Sequence, residues 1–200
     1  MEIDLKDKKP DVRYLKEMEN VVYDKEWFKT AENFELYYMY RKLKVENELR
    51  YDITVIPPKM FGPEFVKTKG HIHAGFYGEV YIVVEGEGMY LAQKGDENKI
   101  EDVFVVKAKQ GDVILIPAGY GHATINPSDK VLKTANWIAE HDKGNFEPFE
   151  RNQGACYYYL KNAAGQGEWI RNEHYKDVPE LRFEEPLKEV PQNLDFLKAK

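Results

Sequence analysis

The sequence predicts an all-β chain, an antiparallel sandwich or barrel with a short helical segment before it and an extension after it. Three observations lead there. Short alternating or aromatic-rich runs recur between turn signals from residue 34 to residue 139, without the strand–helix alternation of parallel sheets. Helical spacing is confined to residues 11–30, where Val12, Leu15, Met18 and Val22 recur every three to four positions ahead of Trp27 and Phe28. The 14 tyrosines, 10 phenylalanines and 3 tryptophans suit pleated surfaces and concave pockets.

The elements follow in order. Phe34 to Tyr40 is dense in aromatics, and Tyr51 to Ile56 alternates until Pro57-Pro58 stops it. Further strands are expected at 79–85, 88–94, 103–108, 113–117, 123–126 and 131–139. Gly86-Glu87-Gly88, Gly95-Asp96-Glu97-Asn98, Gln110-Gly111-Asp112 and Asn126-Pro127-Ser128-Asp129 turn the chain between them. Gly86 and Gly88 predict a hairpin with positive φ. Residues 155–160 and 168–170 read as two more strands. The last thirty residues, with Pro179, Pro186 and Pro191 among charges, read as a surface-wrapping tail. The organisation expected is one domain over 1–200: an arm 1–33, a core 34–144 and an extension 145–200.

Composition excludes several classes. One cysteine, Cys156, can form neither an internal disulfide nor a thiolate zinc site, so a metal here needs histidine and carboxylate. Its place in Ala155-Cys156-Tyr157 reads as a buried strand position. No apolar run approaches the ~20 residues of a membrane span, and the charged N-terminus lacks a signal region. A soluble, cytoplasmic protein without membrane or nucleic-acid partners is therefore expected; the formal net charge of −6 supports the latter point. A small anionic ligand remains compatible, because a few local donors override the global sign.

Chemistry concentrates in the histidines. His71 and His73 are two apart, which on a strand turns both rings to one face. Glu79 opens the next strand, and His122 follows Ile116-Pro117-Ala118-Gly119-Tyr120-Gly121. Gly111-Asp112 turns into a strand that Pro117 ends, so the loop after it would present His122 to the barrel mouth. Three imidazoles and a carboxylate leave open positions on an octahedral ion and suit Fe²⁺, Mn²⁺, Ni²⁺ or Zn²⁺.

This two-motif order, His71-X-His73 through Glu79 to Gly86 and Gly111-Asp112 through Pro117 to His122 and Asn126, resembles the cupin superfamily, which implies a jelly-roll-like β-barrel around one metal. Thr68-Lys69-Gly70-His71-Ile72-His73 with Glu79-Val80-Tyr81, the strand Tyr51 to Pro57, and Pro117 to Asn126 are similar to the cupin-type phosphoglucose isomerases over residues 35–144. That resemblance implies interconversion of glucose 6-phosphate and fructose 6-phosphate. It implies one divalent metal per subunit, Fe²⁺ first, on His71, His73, Glu79 and His122. It implies Thr54, Thr68 and Gly70 on the phosphate, Tyr37 along the sugar, Tyr81 beside the metal and His141 as a pocket histidine. Trp137 and Lys143 stand where the family carries tyrosines; Lys143 would add positive charge near the phosphate. Lys67 and Lys69 are read as solvated, on the face opposite Thr68.

Two routes remain open at the level of sequence. In one, Glu79 shuttles a proton through a cis-enediol; in the other, hydride moves between C2 and C1 while Tyr81 and His141 handle hydroxyl protons. An Fe²⁺ dioxygenase or a non-catalytic sugar-phosphate binder are the alternatives in other classes. The aromatic load exceeds what one small barrel needs inside, and a homodimer covering part of the outer face is expected.

Overall fold

The chain enters the fold as an edge strand. In the structure, a computed structural model that describes residues 3–198, β1 (Asp11–Tyr14) pairs antiparallel with β2 (Glu35–Glu46). Between them lie a 3-10 segment, Leu15–Val21, and the one-turn helix α1 (Lys25–Thr30). The helical spacing is thus met mainly by a three-residue repeat. Leu15, Met18 and Val21 stack on one side of the 3-10 turns and are all buried. Asp24 caps α1, its carboxylate accepting from the Trp27 N–H at 2.8 Å.

Each run read as a strand between residues 34 and 170 forms one. β3 (Leu49–Ile56) returns from β2 through Asn47-Glu48, whose φ values of +51° and +63° make the left-handed pair a tight hairpin demands. Two short strands follow, β4 (Met60–Phe61) and β5 (Glu64–Phe65). Then come β6 (Glu79–Glu85), β7 (Glu87–Gly95), β8 (Ile100–Lys109), β9 (Val113–Ile116), β10 (Gly121–Ile125) and β11 (Leu132–Ala139). The extension adds α2 (Glu147–Arg151), β12 (Tyr157–Lys161), β13 (Gly167–Arg171) and β14 (Arg182–Glu184).

These strands form a jelly-roll-like pair of sheets. One runs β1-β2-β3-β11-β6-β9 and the other β10-β7-β8-β14, with β13-β12-β5-β4 as a flanking sheet. The main core cluster draws Tyr81, Val83, Ile114 and Ile116 from the first sheet and Tyr90, Leu91, Val105 and Ile125 from the second. The Tyr90 and Thr134 hydroxyls bridge the layers at 2.7 Å. No continuous ladder closes the sheets among the described residues, so the barrel is an open sandwich.

The Gly86–Gly88 hairpin is not formed. β6 pairs with β11 and β9, whereas β7 pairs with β10 and β8, so Gly86 is a corner where the chain changes sheets. Its φ of +79° and the Val131 carbonyl, 2.4 Å from where a Cβ would sit, admit only glycine.

The tail wraps the surface as expected and also closes edges. β14 adds a parallel strand to β8, and Leu187 exchanges two backbone hydrogen bonds with Val113 of β9. Leu197 is buried with Leu49, Val80 and Val113. Cys156 is fully buried ahead of β12, and burial pushes its thiol pKa up. No helix among the described residues is long and apolar enough to cross a membrane.

Candidate active site

His71 and His122 face each other across an antiparallel bridge. The His71 N–H donates to the His122 carbonyl at 3.2 Å, and the His122 N–H to the His71 carbonyl at 2.9 Å. Directly opposed residues share a face, and their ring centroids are 4.6 Å apart. His73 returns to the same face two residues on, 5.2 Å from the His122 ring. Glu79, at the start of β6, brings Oε2 to 3.1 Å from His73 Nε2 and 3.0 Å from His122 Nε2. His122 itself sits within β10, not in a loop before it.

One donor atom from each of these four residues lies within 4.8 Å of all the others. Donors about 2.1 Å from one ion stand no more than about 4.2 Å apart, so the set fits a single divalent cation with small side-chain adjustment. Neighbouring groups aim the donors. The Tyr77 carbonyl, 3.1 Å from His73 Nδ1, accepts the proton held there and turns Nε2 toward the cluster. Asn136 Nδ2 donates to Glu79 Oε1 at 2.7 Å. The Tyr81 hydroxyl lies 3.0 Å from His122 Nε2.

Burial and the adjacent His122 hold His71 well below the usual imidazole range, so its ring is neutral. Burial alone would raise the Glu79 carboxyl, but the contacts from His122 and His73 outweigh it and hold the group ionised well below the usual carboxylate range. Tyr81 goes the other way. Burial and Glu79 push its phenol far up, leaving a neutral hydroxyl.

The cluster opens into a cavity of about 590 Å³. Tyr37, Thr54, Thr68, Gly70, Tyr81 and Lys143 all line it. Residues 66–72 run extended beside β10, the Thr68 N–H donating to the Thr124 carbonyl at 2.8 Å. Gly70, at φ +80°, breaks the pleat between Thr68 and His71, and a Cβ there would meet the Phe149 ring at 2.5 Å. In the ladders, Asn136 is level with Asp52 and Tyr81, and Thr54 is level with Thr134, two residues further on.

Other expectations move. His141 is exposed and does not line the cavity. Trp137, one residue out of phase with Asn136 and Ile138, faces away and packs its ring 5.0 Å from Tyr51. Lys67 and Lys69 are not solvated. Lys67 is 5% exposed and ion-pairs with buried Glu64, while Lys69 lines the cavity and pairs with Glu150 at 2.5 Å. The flat alternation used to place them fails at Gly70 and at the irregular crossing between β5 and β10.

Four cations in the cavity wall were not legible: Arg13, Arg41, Lys42 and Arg50. Arg13 arrives on β1, a strand hidden under the helical spacing. Arg41 and Lys42 sit in a bulge of β2 between Tyr40 and Lys44, where Lys42 takes φ +53° and donates its N–H to Asp52 at 2.7 Å. Arg50 is buried, ion-pairs with Asp52 at 2.8 Å, and donates to the carbonyls of Glu140 and Asp142. That anchors the loop carrying Lys143 and Gly144 over His71.

The comparisons with known proteins agree with this arrangement. The family model described as Glucose-6-phosphate isomerase (GPI) matches residues 12–180. A protein named glucose-6-phosphate isomerase from Thermococcus litoralis is 34% identical over 131 residues, 61% of this chain and 65% of that protein. Its namesake from Pyrococcus furiosus is 32% identical over 129 residues, 61% of this chain and 66% of that protein. Each match thus spans just under two thirds of the relative's length. Among solved structures, a predicted oxalate decarboxylase from Thermotoga maritima superposes with a TM-score of 0.44 at 20% identity, over 68% of this chain and 96% of that one. The match to the family model runs from β1 through the last core strand into the extension, and by it this chain belongs to the glucose-6-phosphate isomerase family.

Proposed function

We propose that the chain is a metal-dependent aldose–ketose isomerase that interconverts glucose 6-phosphate and fructose 6-phosphate. One observation carries the reading: a buried His₃Glu set borders a cavity that Tyr37, Thr54, Thr68 and Gly70 also line. His71, His73, Glu79 and His122 would hold the ion, with Fe²⁺ proposed and Mn²⁺, Ni²⁺ or Zn²⁺ also suited to imidazole and carboxylate. Bound there, a divalent cation would supply Lewis acidity to the reacting oxygens of the sugar.

The chain's own groups do the rest. The threonine hydroxyls, the backbone around Gly70 and Lys143 would grip the phosphate, which does not react, and that binding energy would fix the reacting carbons beside the ligand set. The Tyr81 hydroxyl, protonated and pointing at the ligand set, would donate to a substrate oxygen. Glu79 has Oε1 occupied by Asn136 and Oε2 facing two histidines, so it is a weak base toward carbon. That favours hydride transfer between C2 and C1 over proton abstraction. His141, outside the cavity, takes no part in the proposal.

A homodimer is proposed as the assembled form. Tyr40, Val55, Ile82, Val84 and Trp137 form a half-buried apolar band on the outer face of the six-stranded sheet. A phosphorylated hexose as substrate sets the activity in glycolysis or gluconeogenesis, and so in the cytoplasm.

The test follows glucose 6-phosphate deuterated at C2 by NMR with the metal-loaded protein. Fructose 6-phosphate carrying the label at C1 is expected. Complete exchange of the label into solvent would return the hydrogen transfer to Glu79, and an unchanged spectrum would overturn the isomerase reading.

A further inference from the structure

We propose that Arg13 and Lys69 clasp the substrate phosphate by exchanging their carboxylate partners, Glu17 and Glu150, for it. The inference rests on the sugar-phosphate reading above and adds residues which that reading does not use. Arg13 lies directly opposite Tyr37 in the β1–β2 ladder, and the Lys69 N–H donates to the Tyr37 hydroxyl at 3.2 Å. Both cations line the cavity. Arg13 Cζ and Lys69 Nζ each stand 5.8 Å from the centre of the same Phe146 ring. Two positive side chains gathered on one ring repel unless an anion joins them.

The pairing is lopsided in a way that favours exchange. The side chains of Arg13 and Lys69 are 16% and 13% exposed, whereas Glu17 and Glu150 are 42% and 34% exposed. The cations thus look inward, and the carboxylates hold them from the solvent side at 2.7 Å and 2.5 Å. A carboxylate with that much solvent contact is readily rehydrated when released. A phosphate monoester carries about −1.5 to −2 charges and three acceptor oxygens, so it outcompetes a single carboxylate for a guanidinium fork. Arg13 Nε is also buried without a hydrogen-bond partner among the described residues, a donor that such an oxygen would satisfy. Binding would then tie β1 and the segment before Gly70 to the substrate.

Calorimetric titration of the metal-loaded protein with sorbitol 6-phosphate, which cannot isomerise, and with sorbitol tests this. The unaltered protein is expected to prefer the phosphorylated ligand. Arg13→Gln and Lys69→Gln should each weaken its binding by about tenfold or more, with melting curves showing that both fold. Arg13→Lys, which keeps the charge and loses the fork, should fall between. Glu17→Gln keeps an oxygen for the Tyr14 N–H but removes the competing charge, and should tighten binding by about two- to fivefold. A purely structural Arg13–Glu17 pair gives no such gain. Unaltered affinity in Arg13→Gln and Lys69→Gln would overturn the exchange and leave the isomerase reading standing. No preference for sorbitol 6-phosphate over sorbitol in the unaltered protein would overturn both.

Discussion

Glu79 shows how much of the site depends on groups that touch no substrate. Its Oε2 faces His73 and His122, and Asn136 on β11 fixes the other oxygen at 2.7 Å. Orienting partners of this kind typically carry 10–100-fold in metal affinity. Asn136→Ala should therefore weaken the binding of a divalent ion by about that factor, measured by competition with a chromophoric chelator. Affinity unchanged from the parent protein would remove Asn136 from the site. The four members of the cluster are legible because their spacing survives as local pattern: two histidines on one face, a glutamate opening a strand, a histidine after a proline-ended one. Asn136 is not, because its pairing with Glu79 depends on β11 lying beside β6, and nothing local announces that neighbour. Lys69 was misplaced for a related reason. Period-two reasoning assumes an unbroken pleat, and Gly70 at φ +80° breaks it.

Elements were more readable than their connections. Alternation and turn residues locate the core strands, yet Gly86 makes a corner and not the hairpin its sequence predicts, since a sheet change and a tight turn make the same demand for positive φ. β1 and β14 were invisible because four- and three-residue edge strands carry too short a pattern. β14 is held to β8 by Asp102, which accepts from Arg182 at 2.7 Å and from the Tyr120 hydroxyl at 2.7 Å. The Arg182 hydrogen bonds bring the Asp102 pKa down to about 2. A depressed carboxyl contributes stability that is present above its ordinary pKa and is lost as pH falls through the folded value. Amides in 182–184 should accordingly be well protected at neutral pH, and their protection relative to the intrinsic exchange rate should fall between about pH 4 and pH 2. Asp102→Asn should show the faster exchange already at pH 7. Equal protection in both proteins at pH 7 would mean that the parallel backbone pairing alone holds the tail.

At the scale of the whole molecule, charge and function separate. The chain is acidic overall, at −6, yet Arg13, Arg41, Lys42, Arg50, Lys69 and Lys143 all line one cavity. Net charge therefore says little about the ligand, and the distribution of cations says more. Residues 1–200 are proposed to act as one cupin unit, since the tail strand, the buried Leu197 and the flanking sheet all pack on the two main sheets. The aromatic surplus seen in composition divides between pocket tyrosines and the outer band proposed for self-association. Sedimentation at micromolar concentration should give about twice the 23.4 kDa of one chain. A monomer mass would contradict the dimer and leave the catalytic reading intact.

The most direct measurement is a coupled assay of fructose 6-phosphate conversion after chelation and re-addition of single divalent metals. Glucose 6-phosphate formation is expected to disappear with the chelator and return with Fe²⁺ or another ion suited to the His₃Glu set, but not in a His73→Ala variant that still folds. Conversion that persists through exhaustive chelation would rule out a metal-dependent reaction, and absence of conversion with every ion tried would rule out the isomerase.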